Sequence, residues 1–514
     1  MGKDNFQYEL IEHKPEERVN LIGQGEVDVI LHMMTGTMDR DVYLDDLGTG
    51  LSFSTPYFYF RTAFGGDPKY VACAENGLQT TDECAGLKVC VHMGTRHYEM
   101  LALQLPKTQL TGLPMHGVIY DRFIDGTCNV ILSSTVELNA IVFILDVMYG
   151  QGDSNFVIGE GLYTYEPVSI VTRDDDTEFS DFVNWVLQAL LAAEQHGITK
   201  DNIMLMSGDV PKFRQPSVFG DQYKDMFYDA VAAVGNYGEI YERLSPEIYP
   251  RNLVNSINNG TTGLIHASPL GFPESNGPPP PEDGILMTIV ARGKLRCGIR
   301  TQNRPGFAQK VSHENRTSSR SSHAELLDFQ GMDIDFCCAV ATAIFATGTV
   351  ERIEFVEIPT VEDGFRMLQS GELDIVAGVM KTLERDVREP STGLPFSFTN
   401  PYFYNHTAAA SDDSNLCLVT RQDDLQWSSF VFWIVEATFY AEENGITTAL
   451  SNDMPTVNLF GHDFQRMFRD VILSVGNYGE IYERNVQPFV PRSGLNLLYD
   501  GLGPLHYPLT GLLE

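Results

Sequence analysis

Two short stretches place an arginine three residues after a threonine and directly before an aspartate: Thr37-Met38-Asp39-Arg40 and Thr382-Leu383-Glu384-Arg385. A guanidinium is a planar fork of donors that fits a carboxylate. The plainer alternative is a surface ion pair with the neighbouring Asp41 or Asp386. A third stretch, Gly94-Thr95-Arg96, follows the apolar run Lys88 to His92 and precedes a helical pattern, so its backbone N–H groups would point at an anion. Such a turn is also an ordinary loop-to-helix junction. Groups of these types would bind a ligand rather than react with it. The sequence shows no paired acid and base, no His or Cys cluster with zinc spacing and no phosphate-cradling glycine loop, and no His-Cys-Asp pattern accompanies its eight cysteines. The chain is therefore expected to be no enzyme and to use no cofactor or metal.

The elements that hold these arginines occur twice. VGNYGEIYER stands at Val234–Arg243 and again at Val475–Arg484, which identifies an internal duplication. Arg40-Asp41 with Phe53-Ser54-Thr55-Pro56-Tyr57-Phe58 matches Arg385-Asp386 with Phe398-Thr399-Asn400-Pro401-Tyr402-Phe403 at an offset of 345 residues, whereas VGNYGEIYER repeats at 241. Copy one thus holds about 104 residues that copy two lacks, enough for a domain. Copy two in turn has extra material from Ile285 to about Val350, and copy one opens near Phe6, at the point matching Ile353. Copy one is accordingly expected to lack a first strand and helix. That would leave a sheet edge open, so the chain is expected to be a piece of a longer array or to be completed by another chain.

A helix over Pro15–Gln24, Gly25 as its left-handed cap and the strand Glu26–Leu31 are repeated as a helix through Phe365, Met367 and Leu368, Gly371 and the strand Leu373–Ala377. This alternation predicts an α/β fold with a parallel sheet. Two amphipathic runs, Phe179–His196 before Gly197 and Trp427–Asn444 before Gly445, predict core-facing helices. Ser268–Gly284, with four prolines from Pro278, is an extended linker, and the polar run Ser312–His323 is an exposed loop.

The bulk properties narrow the function. A formal charge of -34 excludes nucleic acid and anionic membrane as partners, since both select basic surface. No run of about 18 apolar residues is present, so no membrane span is expected; the best candidate, Phe430–Tyr440, contains Glu436. The start MGKDNFQYEL does not look like a signal peptide. An even cysteine count with Asn-x-Ser/Thr triplets at Asn259, Asn315 and Asn405 leans towards an oxidising, glycosylating compartment, extracellular or periplasmic.

GKLRCGI with RPGF, GMDIDFCCAVATAIF, LQSGELDIV, TLERD and PYF in copy two, GLKVCVHMGT and GTCNVIL in copy one, and VGNYGEIYER in both resemble the general L-amino-acid-binding periplasmic proteins, the solute-binding components of ABC transporters. The resemblance covers nearly the whole chain. It implies a periplasmic-binding-protein-like fold of type II, in which one α/β lobe is inserted into another and a pair of crossover strands joins them. Residues 1–62 and 166–267 would then form the first lobe of copy one, 63–165 its second lobe, 268–284 the linker, and 285–514 a second copy reduced to one lobe.

An α-amino acid needs a forked donor for its carboxylate and an anion for its ammonium. The resemblance gives the first role to Arg40 with Thr35 and Thr37, facing the turn at Thr95 and Arg96, and in copy two to Arg385 with Thr382. Copy two has Met380 where copy one has Thr35, and lacks that hydroxyl. The acid expected six positions after Cys128 is replaced by Ser134, with Glu137 three residues beyond. An unpaired buried ammonium costs several kcal/mol. Phe307 would lie against a ligand in copy two. The resemblance pairs Cys90 with Cys128 and Cys297 with Cys337; Cys73 and Cys84 could close a short loop, leaving Cys338 and Cys417. Two functions follow as expectations: a receptor for a small polar ligand such as an amino acid, partnered by a membrane transporter or another copy of the fold, or a non-binding extracellular glycoprotein built from decayed copies.

Overall fold

The computed structural model describes residues 8–13, 17–76, 82–93, 101, 109–114, 119–149, 155–161, 165–205, 212–215, 217–243, 251–302, 304–311, 328–346, 349–405, 415–501, 503–509 and 512. The strands used below are, in chain order, β1 (Ile30–Thr35), β2 (Leu51–Phe53), β3 (Phe58–Gly66), β4 (Val89–His92), β5 (Leu110–Leu113), β6 (Val130–Ser134), β7 (Val157–Ile158) and β8 (Tyr165–Arg173) in copy one. Copy two continues with β9 (Leu295–Ile299), β10 (Ile353–Glu357), β11 (Ile375–Met380), β12 (Phe396–Phe398), β13 (Phe403–Tyr404) and β14 (Asn415–Arg421). The helices are α1 (Arg18–Gly23), α2 (Met38–Val42), α3 (Thr135–Tyr149), α4 (Thr177–Gln195), α5 (Met332–Phe345), α6 (Leu383–Val387) and α7 (Leu425–Glu443). The chain separates into two compact units. One is Met1–Thr35, Pro56–Ile170 and Glu239–Asn255; the other is Gly36–Thr55, Val171–Gly238 and Ser256–Glu514.

In the first unit β4 runs parallel to β5 and β6, β3 is antiparallel to β6, and β7 adds to β3. Every residue of β4 is buried. Its alternation explains this: Val89 and Val91 enter a cluster with Phe64, Val71, Leu87 and Leu132, while Cys90 points the other way towards Ala63, Ile131, Leu138 and Ile141. The sheet is covered on both faces, as a parallel core requires.

In the second unit copy two forms a sheet of order β10-β9-β11-β14-β12. The expected parallel arrangement holds for β10, β9 and β11, but β14 runs antiparallel to β11 and β12. The reason lies in the crossover. In copy one Phe58 pairs with Val168 and Tyr59 with Pro167; in copy two the equivalent pairs are Phe403 with Leu416 and Tyr404 with Asn415. Both copies keep the antiparallel crossover pair. Copy two simply turns back where copy one inserts its extra residues, and that is how a domain-sized block can be missing without breaking the sheet. An asparagine fastens each crossover. Tyr59 donates to Asn255 at 2.7 Å and accepts from it at 2.8 Å; Tyr404 and Asn496 do the same at 2.8 and 2.7 Å.

The two long helices begin on aspartate caps, Asp176 accepting from Phe179 N and Asp424 from Trp427 N. They stop before Gly197 and Gly445, each at φ +65°. The helix expected over Pro15–Gln24 is α1, Arg18–Gly23. The linker packs on copy two, with Gly277 N bonded to Asn458 O and Asn458 N to Pro273 O. The loop Ser312–His323 lies outside the described residues. Among the described residues, no helix is long and apolar enough to cross a membrane.

Candidate functional site

Strand β1 ends at Thr35, which is buried, and α2 follows after Gly36 and Thr37. Thr37 is the N-cap of α2 in extended conformation; it is buried, and its hydroxyl makes no hydrogen bond among the described residues. A later segment of the same unit lies over this helix start: Pro269 O accepts from Met38 N at 3.1 Å. Gly271, at φ +62°, passes so close that a Cβ there would meet Asp39 Oδ1 at 1.9 Å. Arg40 sits half-buried in the helix itself. Arg40 and Asp41 diverge, because Asp41 Oδ2 accepts the Trp433 indole N–H at 2.8 Å. Burial pushes the Asp41 carboxyl up to about 6, against the hydrogen bonds from Trp433 and Ser429.

Copy two repeats the helix with different bonding. Thr382 caps α6 by accepting from Arg385 N at 3.3 Å. Arg385 is buried; its Nη1 donates to Met380 O at 3.2 Å, its guanidinium lies 5.9 Å over the Phe365 ring, and Glu362 is 4.0 Å away. It does not pair with Asp386, whose carboxylate takes Lys381 Nζ at 3.0 Å and the Trp185 indole at 2.8 Å. Phe307 packs edge-on against Phe403 at 4.8 Å and beneath Arg304 at 5.5 Å.

In the other unit, Thr95 and Arg96 lie outside the described residues. Ser134 ends β6, is buried, and accepts from Glu137 N at 3.0 Å, so it starts α3. Glu137, in the first turn of α3, brings its carboxylate back to the strand ends: Oε1 lies 3.1 Å from His92 Nε2 at the end of β4, and Oε2 accepts from Ser133 Oγ. His92 Nδ1 is 3.1 Å from Pro114 O. Burial opposes charge on His92, but the bond to Glu137, its charge and the Pro114 carbonyl outweigh it and raise the His92 pKa. The Glu137 side chain remains 37% exposed. An anion therefore stands beside Ser134 even though position 134 has none.

The comparisons with known proteins bear on what these groups do. The glutamate/glutamine/aspartate/asparagine-binding protein BztA of Rhodobacter capsulatus is 28% identical over 271 residues, 49% of this chain and 75% of its own length. The general L-amino acid-binding periplasmic protein AapJ of Rhizobium johnstonii is 26% identical over 276 residues, with 50% and 75% covered. Half of this chain is homologous to amino-acid ABC transporter binding proteins. No protein-family model matches it. Among solved structures, an ABC transporter periplasmic binding protein from Brucella ovis with glutathione bound aligns at TM-score 0.38 and 26% identity, covering 46% of this chain and 75% of that one.

This binding-protein relative carries three disulfides, Cys73–Cys84, Cys90–Cys128 and Cys297–Cys337, while Cys338 and Cys417 are free and buried. Burial pushes the Cys417 thiol up to about 12, so it is inert at neutral pH. No group of three metal-ligating side chains exists among the described residues. Asn259 is exposed and Asn405 half-buried; Asn315 lies outside the described residues. Sequence reasoning noted Glu137 but not its return to Ser133, and missed His92 and the two tryptophans altogether. A signal for the tryptophans existed: two of the three in the chain, Trp185 and Trp433, occupy equivalent positions of the duplicated helices.

Proposed function

We propose that this chain is a receptor for a small amino-acid-like solute, of the kind that serves an ABC transporter, acting in the periplasm or outside the cell and doing no catalysis. The homology to amino-acid-binding proteins across three-quarters of their length carries this reading. The residue chemistry of copy one supports it, each unit taken by itself: Arg40, with Thr35 and Thr37 beside it in sequence, is a forked donor of the kind that fits a carboxylate, and Glu137 in the other unit is an anion of the kind that takes an ammonium. Ser134 sets the first turn of the helix that carries Glu137. In copy two Arg385 donates to Met380 O and Phe307 packs on Phe403, so the reading assigns the carboxylate role to Arg40.

The test is thermal unfolding of the whole protein with each proteinogenic amino acid in turn. A ligand at 100 times its Kd stabilises by about 2.7 kcal/mol. At least one amino acid is expected to raise the midpoint; none doing so sinks the reading.

A further inference from the structure

The second unit contains residues of both copies, and their contacts are reciprocal. Trp433 of copy two donates to Asp41 of copy one at 2.8 Å; Trp185 of copy one donates to Asp386 of copy two at 2.8 Å. Asp41 and Asp386 are equivalent positions of α2 and α6, and Trp185 and Trp433 are equivalent positions of α4 and α7. Both indoles are buried.

Three residues further along each long helix the exchange recurs in the tails. Ser268 N, in the tail of copy one, donates to Glu436 of copy two at 2.6 Å, and Leu509 N, in the tail of copy two, donates to Gln188 of copy one at 2.9 Å. The tails also run side by side. Ile257 bridges His506 and Ile265 bridges Leu498, both parallel, with Asn258 N to His506 O and Tyr499 N to Ile265 O each at 2.8 Å. An apolar cluster joins Trp185, Ala189 and Phe227 of copy one to Leu383, Val387 and Leu512 of copy two.

When residue i of one body touches j of another and the equivalent j touches the equivalent i, the contact is isologous, the relation found in twofold homodimers. A linker that merely tethered two domains would leave no such symmetry. We infer that the surface formed by α2, α4 and the tail of copy one is a pairing surface for another copy of the same lobe, and that copy two is its covalently attached partner, locked on by reciprocal indole–carboxyl bonds and exchanged tails.

The experiment uses the full chain with a protease site placed between Glu282 and Asp283, both exposed in the linker. After cleavage, size exclusion in native buffer is expected to return the two pieces together at the position of the uncut chain; their separate elution overturns the inference. The cleaved Trp185→Phe and Trp433→Phe variants are then titrated with urea, each alone so that folding is preserved. Each is expected to release the pieces at lower urea than the cleaved parent. The cleaved Trp427→Phe variant is the control, because that indole donates to Asp374 O within copy two. If Trp427→Phe loosens the pair as much as the other two, the reciprocal bonds are not what holds it and the inference fails.

Discussion

Trp433 reaches Asp41 Oδ2 at 2.8 Å, and Asp41 is the residue next to Arg40. An indole from one copy therefore holds the helix that carries the candidate guanidinium of the other. The contact also leaves a carboxyl in a place where its charge is disfavoured.

Stability should depend on pH accordingly. Asp41 is raised from 3.8 to about 6, and Asp174, Glu436 and Glu443 to about 7, burial being the main cause in each. In the folded state these acids keep protons that the unfolded chain releases, so their contribution is complete near pH 4 and is lost as pH rises to about 7. The urea midpoint is expected to fall between pH 5 and pH 8. Asp41→Asn, which retains an acceptor for the indole, should flatten part of that slope and stabilise the protein by on the order of 2 kcal/mol at pH 8. A midpoint that rises with pH would contradict this.

The two repeated arginines should behave differently. Arg40→Ala is expected to abolish any ligand-induced thermal shift. Arg385→Ala should leave the shift intact and lower stability by about 1–3 kcal/mol, because it strips a donor from the Met380 carbonyl. Loss of binding in Arg385→Ala, or its survival in Arg40→Ala, would reverse the assignment to copy one.

Glu137→Gln keeps the length and hydrogen-bonding atoms of the side chain but removes its charge. Affinity for an amino acid is expected to drop at least about tenfold, roughly 1.4 kcal/mol, by calorimetry. In the parent, affinity should also weaken as pH falls through the raised His92 value, since a cationic imidazole at 3.1 Å then competes for the same carboxylate. Equal affinity in parent and Glu137→Gln would remove Glu137 from the site.

Gly271→Ala tests whether the tail truly lies on the start of α2. With φ at +62° and a Cβ position 1.9 Å from Asp39 Oδ1, the substitution should cost about 1–3 kcal/mol in urea unfolding. An unchanged midpoint would show that Pro269–Gly271 does not press on that helix.

Local patterns were readable from the chain because they depend on neighbours in sequence. The helical stripes became α4 and α7, Gly25 took φ +70° and Gly371 +72°, and the duplication reappeared as matching asparagine clamps on Tyr59 and Tyr404. The cysteine pairings implied by the family resemblance are the ones present. What an Arg does beside an Asp was not readable, since it depends on what lies across from it: a carbonyl and a phenyl ring for Arg385, an indole from another copy for Asp41.

By itself, then, the sequence determined the α/β class, the doubling and the uneven lengths of its copies, because periodicity, turn residues and repeated strings are properties of short range. Tertiary structure decided that Glu137 returns to the strand ends beside Ser134, and that the two copies exchange tails and tryptophans within one compact unit. These contacts join residues up to 392 positions apart. Only the burial of segments of both copies in one unit brings such residues within hydrogen-bonding distance, and no local pattern encodes which surface a segment will bury.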